Sequence, residues 1–92
     1  MNATLMMVNV VTLNGQPIIK RETEKAVLVE VEDNFTTWMP KSQIEGFLST
    51  ASGVWMVTTP FMVKEKGLTY RSRKVTEGDI YEALNSKTGT WL

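Results

Sequence analysis

The chain contains no cysteine and no histidine. The first absence excludes disulfides, thiolate metal sites and cysteine nucleophiles. The second removes the commonest metal ligand and the commonest general base. Net charge is also lacking, because ten Lys and Arg balance ten Asp and Glu. A dedicated duplex binder is strongly basic, since phosphate neutralisation supplies most of its affinity, so that class is disfavoured. Long hydrophobic runs are missing too. The apolar stretch from Leu5 to Val11 is too short for a membrane span or a signal core, and no basic segment precedes it. A cytoplasmic location without membrane association is therefore expected. There is no phosphate-binding glycine loop and no internal repeat.

What is present reads as an ordinary globular sequence: 42% hydrophobic and 22% charged over 92 residues. That length predicts a single domain spanning residues 1–92 with one small core. Residues 1–46 carry four basic and six acidic side chains, residues 47–92 six and four, a modest charge asymmetry along the chain.

The clearest local signal is the hairpin Lys25 to Ile44, KAVLVEVEDNFTTWMPKSQI. Val27, Val29 and Val31 alternate with Ala26, Leu28, Glu30 and Glu32, which places the valines on one sheet face. Asp33-Asn34 is the turn, as both residue types tolerate positive φ. Phe35 to Met39 returns, and Pro40 ends the strand by removing a donor. Ser42 with Glu45 fits a helix capping box. Equally, Gln43 to Leu48 fits a strand resuming after a bulge, and a bent strand or short turn is the reading preferred here. A first strand is expected from Thr4 to Val11, with Leu5, Met7, Asn9 and Val11 on one face. Asn14-Gly15 is a tight turn, and Gln16 to Arg21 the returning strand. Ser49 to Gly53 reads as a loop and Val54 to Thr58 as a strand.

Two helices follow. Thr59-Pro60 supplies an N-cap and a first-turn proline, Gly67 a C′ glycine, and Phe61 with Met62 the expected sheet-facing side. Leu68 to Val75 reads as a strand or an extended basic loop. Thr76 with Asp79 starts the second helix, whose apolar stripe is Ile80, Tyr81 and Leu84. Asn85 to Gly89 is a turn-rich exit. The expected fold is α+β, a small mostly antiparallel curved sheet or partial barrel of five to six strands with one or two short helices.

A resemblance attaches to residues 25–68. Ala26-Val27-Leu28-Val29-Glu30 followed by Trp38-Met39-Pro40-Lys41-Ser42-Gln43-Ile44 resembles a pattern in small proteins of phages and mobile elements. Pro60 to Leu68, ending in Lys66-Gly67-Leu68, is similar to the later part of that pattern. The resemblance brings no catalytic residues; it implies a phage-type accessory protein acting in the host cytoplasm.

Candidate sites are few. The run Lys64, Lys66, Tyr70, Arg71, Arg73 and Lys74 carries a net charge of +4 over eleven residues, Glu65 being its one acid. Cations that track a backbone beside an aromatic ring suit single-stranded nucleic acid; the alternative is a solvated edge strand defended by charge. Trp38, Lys41 and Trp91 are the candidate partner-binding residues, because exposed tryptophan favours interfaces. Trp55 reads as core. The acidic group Glu30, Glu32 and Asp33 lacks a cation loop's ligand spacing and reads as a solvated strand end. Lys41 and Ser42 are adjacent, hence poorly placed to share a proton.

No cofactor, no metal site and no catalytic residue is expected, and the chain is not expected to be an enzyme. The leading expectation is a small accessory protein that binds a host protein or nucleoprotein complex, such as a defence nuclease or a transcription or replication complex, and blocks or redirects it. The alternatives are a single-strand nucleic-acid binder using residues 64–74, and a virion assembly component that forms homo-oligomers through Trp91-Leu92.

Overall fold

A computed structural model describes residues 3–32 and 34–92. The described chain is α+β and mostly antiparallel. Its strands are β1 (Thr4–Asn9), β2 (Thr12–Leu13), β3 (Gln16–Pro17), β4 (Ile19–Glu22), β5 (Ala26–Val31), β6 (Phe35–Pro40), β7 (Gly46–Thr50), β8 (Gly53–Thr58), β9 (Ser72–Thr76) and β10 (Gly89–Trp91), with helices α1 (Pro60–Glu65) and α2 (Glu77–Asn85). The expected five to six strands become ten. The return strand after Asn14-Gly15 is broken at Ile18, so β3 pairs with β2 while β4 pairs with β5. The chain's last residues also add β10 to a sheet edge.

Five strands form one sheet in the order β10-β7-β8-β1-β9, and three form another in the order β4-β5-β6. They meet where the chain leaves β1. Val10 bridges Val31, Val11 N–H donates to Glu30 C=O, and Glu32 N–H donates to Asn9 C=O. The sheets are joined at this corner and are not closed into a barrel.

The five-stranded sheet is covered on both faces, and the period-2 alternation of β1 and β8 explains why. Val8, Val10, Val54 and Met56 point to one side, where they meet Val27, Val29, Val31 and Met39 of the smaller sheet, with Met62, Val63 and Leu68 filling one end. Leu5, Leu48 and Val57 point to the other side, against Ile80 of α2. The layers run three-stranded sheet, five-stranded sheet, helix. Each fully buried Val or Met contributes roughly 1.5–3 kcal/mol by leaving water. Of the two ion pairs among the described residues, Lys41–Glu22 is exposed and Lys20–Glu30 joins an exposed lysine to a largely covered glutamate; such pairs contribute about 1 kcal/mol each at most. Apolar burial therefore dominates.

Local signals set the ends of the elements. Asn14 (φ 54°) and Gly15 (φ 79°) make the first hairpin turn. Asn34 takes φ 59° after β5; Asp33, the other expected turn residue, lies outside the described residues. The Thr59 hydroxyl accepts the Met62 N–H at 3.2 Å, capping α1 behind Pro60. Gly67 ends that helix at φ 69°, and the Leu68 N–H returns to the Val63 C=O. At α2 the Thr76 hydroxyl and the Asp79 carboxylate each accept the other's backbone N–H, a complete capping box.

Three local expectations are corrected. Residues 41–43 form one 3-10 turn and β7 resumes at Gly46, so the Ser42–Glu45 capping box does not form. Ser49 and Thr50 belong to β7 and Gly53 to β8, which leaves only Ala51-Ser52 as a turn. Phe61 is 67% exposed while Met62 and Val63 are buried, because a helix of six residues turns only a narrow stripe toward the core.

Candidate functional site

The residues singled out from sequence do not converge on one place. Trp38 lies on the outer face of the three-stranded sheet, opposite the buried valines. Its register partner is Leu28, whose partner on β4 is Arg21, so the three occupy one row across the sheet. Trp38 is 38% exposed there. Lys41 follows the same strand, and its Nζ pairs with Glu22 at 2.5 Å across the sheet end. Trp91 is on the opposite side of the molecule. It is in register with Leu48 on the face that carries α2. Trp55 is 8% exposed, as expected of a core residue, and its indole N–H donates to the Thr50 and Ser52 hydroxyls.

The basic run is dispersed by its own secondary structure. Lys64 and Lys66 sit at the end of α1, Tyr70 and Arg71 in a 3-10 turn, Arg73 and Lys74 in edge strand β9. Arg73 and Lys74 alternate, so they point to opposite sheet faces. The Arg71 guanidinium lies 4.7 Å from the Phe35 ring centroid, and Arg73 lies 5.5 Å from that of Trp55. Both cations are thus partly engaged by the protein's own aromatics. Tyr70 is 99% exposed and stands clear of them.

Of the acidic group expected to be a solvated strand end, Glu32 is exposed, whereas Glu30 is largely covered and pairs with Lys20 at 3.3 Å; Asp33 lies outside the described residues. No group of three or more acidic side chains among the described residues is arranged to hold a metal ion. No described helix is long and apolar enough to cross a membrane.

A pocket that the sequence did not advertise lies between α2 and β10. Its volume is about 250 Å3. Leu5, Ile80 and Leu84 form its floor, Tyr81 and Trp91 its aromatic walls, and Glu45 and Glu77 its charged rim. Gly46 permits this arrangement. A Cβ there would stand 2.7 Å from Cε3 and Cζ3 of Trp91, so the indole rests directly on the glycine backbone. Glu77 is held by Ala3, whose N–H donates to Oε1 at 3.0 Å. Tyr81, expected in the buried stripe of α2, is 67% exposed at the pocket rim. The helix offers only Ile80 fully to the core, and Tyr81 is turned a further 100° or so around the axis. The hint in the sequence was Trp91-Leu92, two large apolar residues that needed a seat.

No family model, curated protein or solved structure matches the chain.

Proposed function

We propose that this chain is a non-enzymatic accessory protein of the phage type, working in the host cytoplasm, which binds a host protein complex and blocks or redirects it. One observation carries the reading. Trp38 and Trp91, on opposite sides of the molecule, are both more than one-third exposed, although this small fold had room to bury Trp55. Half-exposed tryptophan on a rigid sheet is the side chain that contributes most at protein interfaces. The chemistry inventory supports the same direction, since a chain without Cys or His acts most simply by contact.

The test is retention of a partner from host lysate on the immobilised chain. One stoichiometric protein is expected, and Trp38→Ala or Trp91→Ala should release it. A lysate that yields none, or a partner indifferent to both substitutions, overturns the reading.

A second reading, single-stranded nucleic-acid binding, is favoured by Tyr70, whose ring is open for base stacking. Against it, Arg71 and Arg73 already lie over Phe35 and Trp55. If it holds, oligonucleotide affinity falls steeply with salt and Arg71→Ala with Arg73→Ala abolishes it.

A further inference from the structure

We propose that the pocket between α2 and β10 receives an arginine side chain from a polypeptide partner. The inference rests on the contact reading above and gives the partner's chemistry at one of its two exposed tryptophans.

Three observations point to a cation. The pocket's charges are Glu45 and Glu77, and neither joins an ion pair among the described residues. No Lys or Arg is among the residues that line the pocket. Helix α2 adds Asp79 and Glu82 and carries no Lys or Arg, so this wall of the pocket is acidic although the chain is neutral. A complementary partner therefore supplies positive charge.

Two further features select arginine. The Trp91 indole packs against Gly46 through its six-membered ring and lines the pocket beside Tyr81. A planar guanidinium stacks on such rings while its edge pairs with a carboxylate, which a compact ammonium does less well. The apolar floor of Leu5, Ile80 and Leu84 suits the methylene stem. The volume of about 250 Å3 falls below that of typical small-molecule sites, roughly 300–1,000 Å3, and fits one long side chain. Tying the Glu77 carboxylate to the Ala3 N–H through Oε1 leaves its second oxygen as an acceptor. Since β10 is an edge strand, an extended segment can run alongside it and deliver that side chain.

The test is an NMR titration of the intact chain with N-acetyl-arginine amide and with its neutral isostere, N-acetyl-citrulline amide. The expected result is saturable shifts of the Trp91 indole and of the amides of Glu45, Gly46 and Tyr81. Arginine should bind about tenfold more tightly than citrulline, as one charge-assisted pair implies. Glu45→Gln, an exposed substitution compatible with the fold, should remove most of that preference. Equal binding of the two probes, arginine shifts that map elsewhere, or a preference untouched by Glu45→Gln with Glu77→Gln overturns the proposal. A failed titration leaves a partner retained from lysate standing, and an empty lysate does not alter the titration, so the two failures are distinct.

Discussion

Replacing Gly46 by alanine tests the seat on which Trp91 rests. The added methyl would lie 2.7 Å from two indole carbons, well inside contact distance, so the ring must move. A tryptophan side chain buries ~150–250 Å2 when fully enclosed. Trp91 is 39% exposed, so roughly 100–150 Å2 is at stake. At ~25 cal/mol per Å2, complete ejection of the ring costs roughly 3 kcal/mol. A partial shift falls within the range of about 1–3 kcal/mol typical of overpacking. The expected loss for Gly46→Ala is therefore ~1–3 kcal/mol, a fall in melting temperature of at least ~4 °C. Urea denaturation followed by tryptophan emission measures it. The decisive control is the same change in a Trp91→Ala background, where the obstruction is gone. Any backbone cost of a side chain at φ 159° is common to both backgrounds and cancels in the difference. A coupling energy of at least ~1 kcal/mol is expected. If Gly46→Ala costs the same in both backgrounds, the ring does not rest on the glycine, and the pocket beside it is not as described.

Three other outcomes follow from the packing. Met39→Ala removes a fully buried side chain between the sheets and should cost about 2–5 kcal/mol in chemical denaturation. Thr76→Ala breaks the capping box of α2 and should cost about 1 kcal/mol, with faster hydrogen exchange confined to that helix. Lys41→Ala removes only an exposed ion pair with Glu22 and should change stability by less than ~1 kcal/mol. A larger loss for Lys41→Ala than for Met39→Ala would invert the ranking of burial over surface charge.

Much of the scaffold was legible from short-range pattern. Alternating valines placed β5 correctly with Val27, Val29 and Val31 inward, and both helix starts follow from a threonine and its third neighbour. The candidate site was far less legible. The basic run looked continuous in sequence, yet a 3-10 turn and the strand pleat send its cations to different faces. Trp38 and Trp91 were grouped because both are tryptophans, but they belong to different layers. Glu45 was read only as a helix-cap residue and Glu77 was not a candidate site residue, since nothing in a sequence shows that two distant carboxylates line one pocket with an indole.

The division has one physical cause. Turns, caps and strand faces depend on residues a few positions apart: Asn14-Gly15 tolerates positive φ, Thr76 reaches Asp79, and β-branched side chains alternate. Those features were determined by the sequence alone. Which aromatic a cation covers, which strand forms an edge and what Trp91 rests upon depend on contacts between residues far apart in the chain. Arg71 finds Phe35 and Trp91 finds Gly46 only after the sheets have assembled around their valines and methionines. The tertiary structure therefore decided the surface, and with it where a partner can bind.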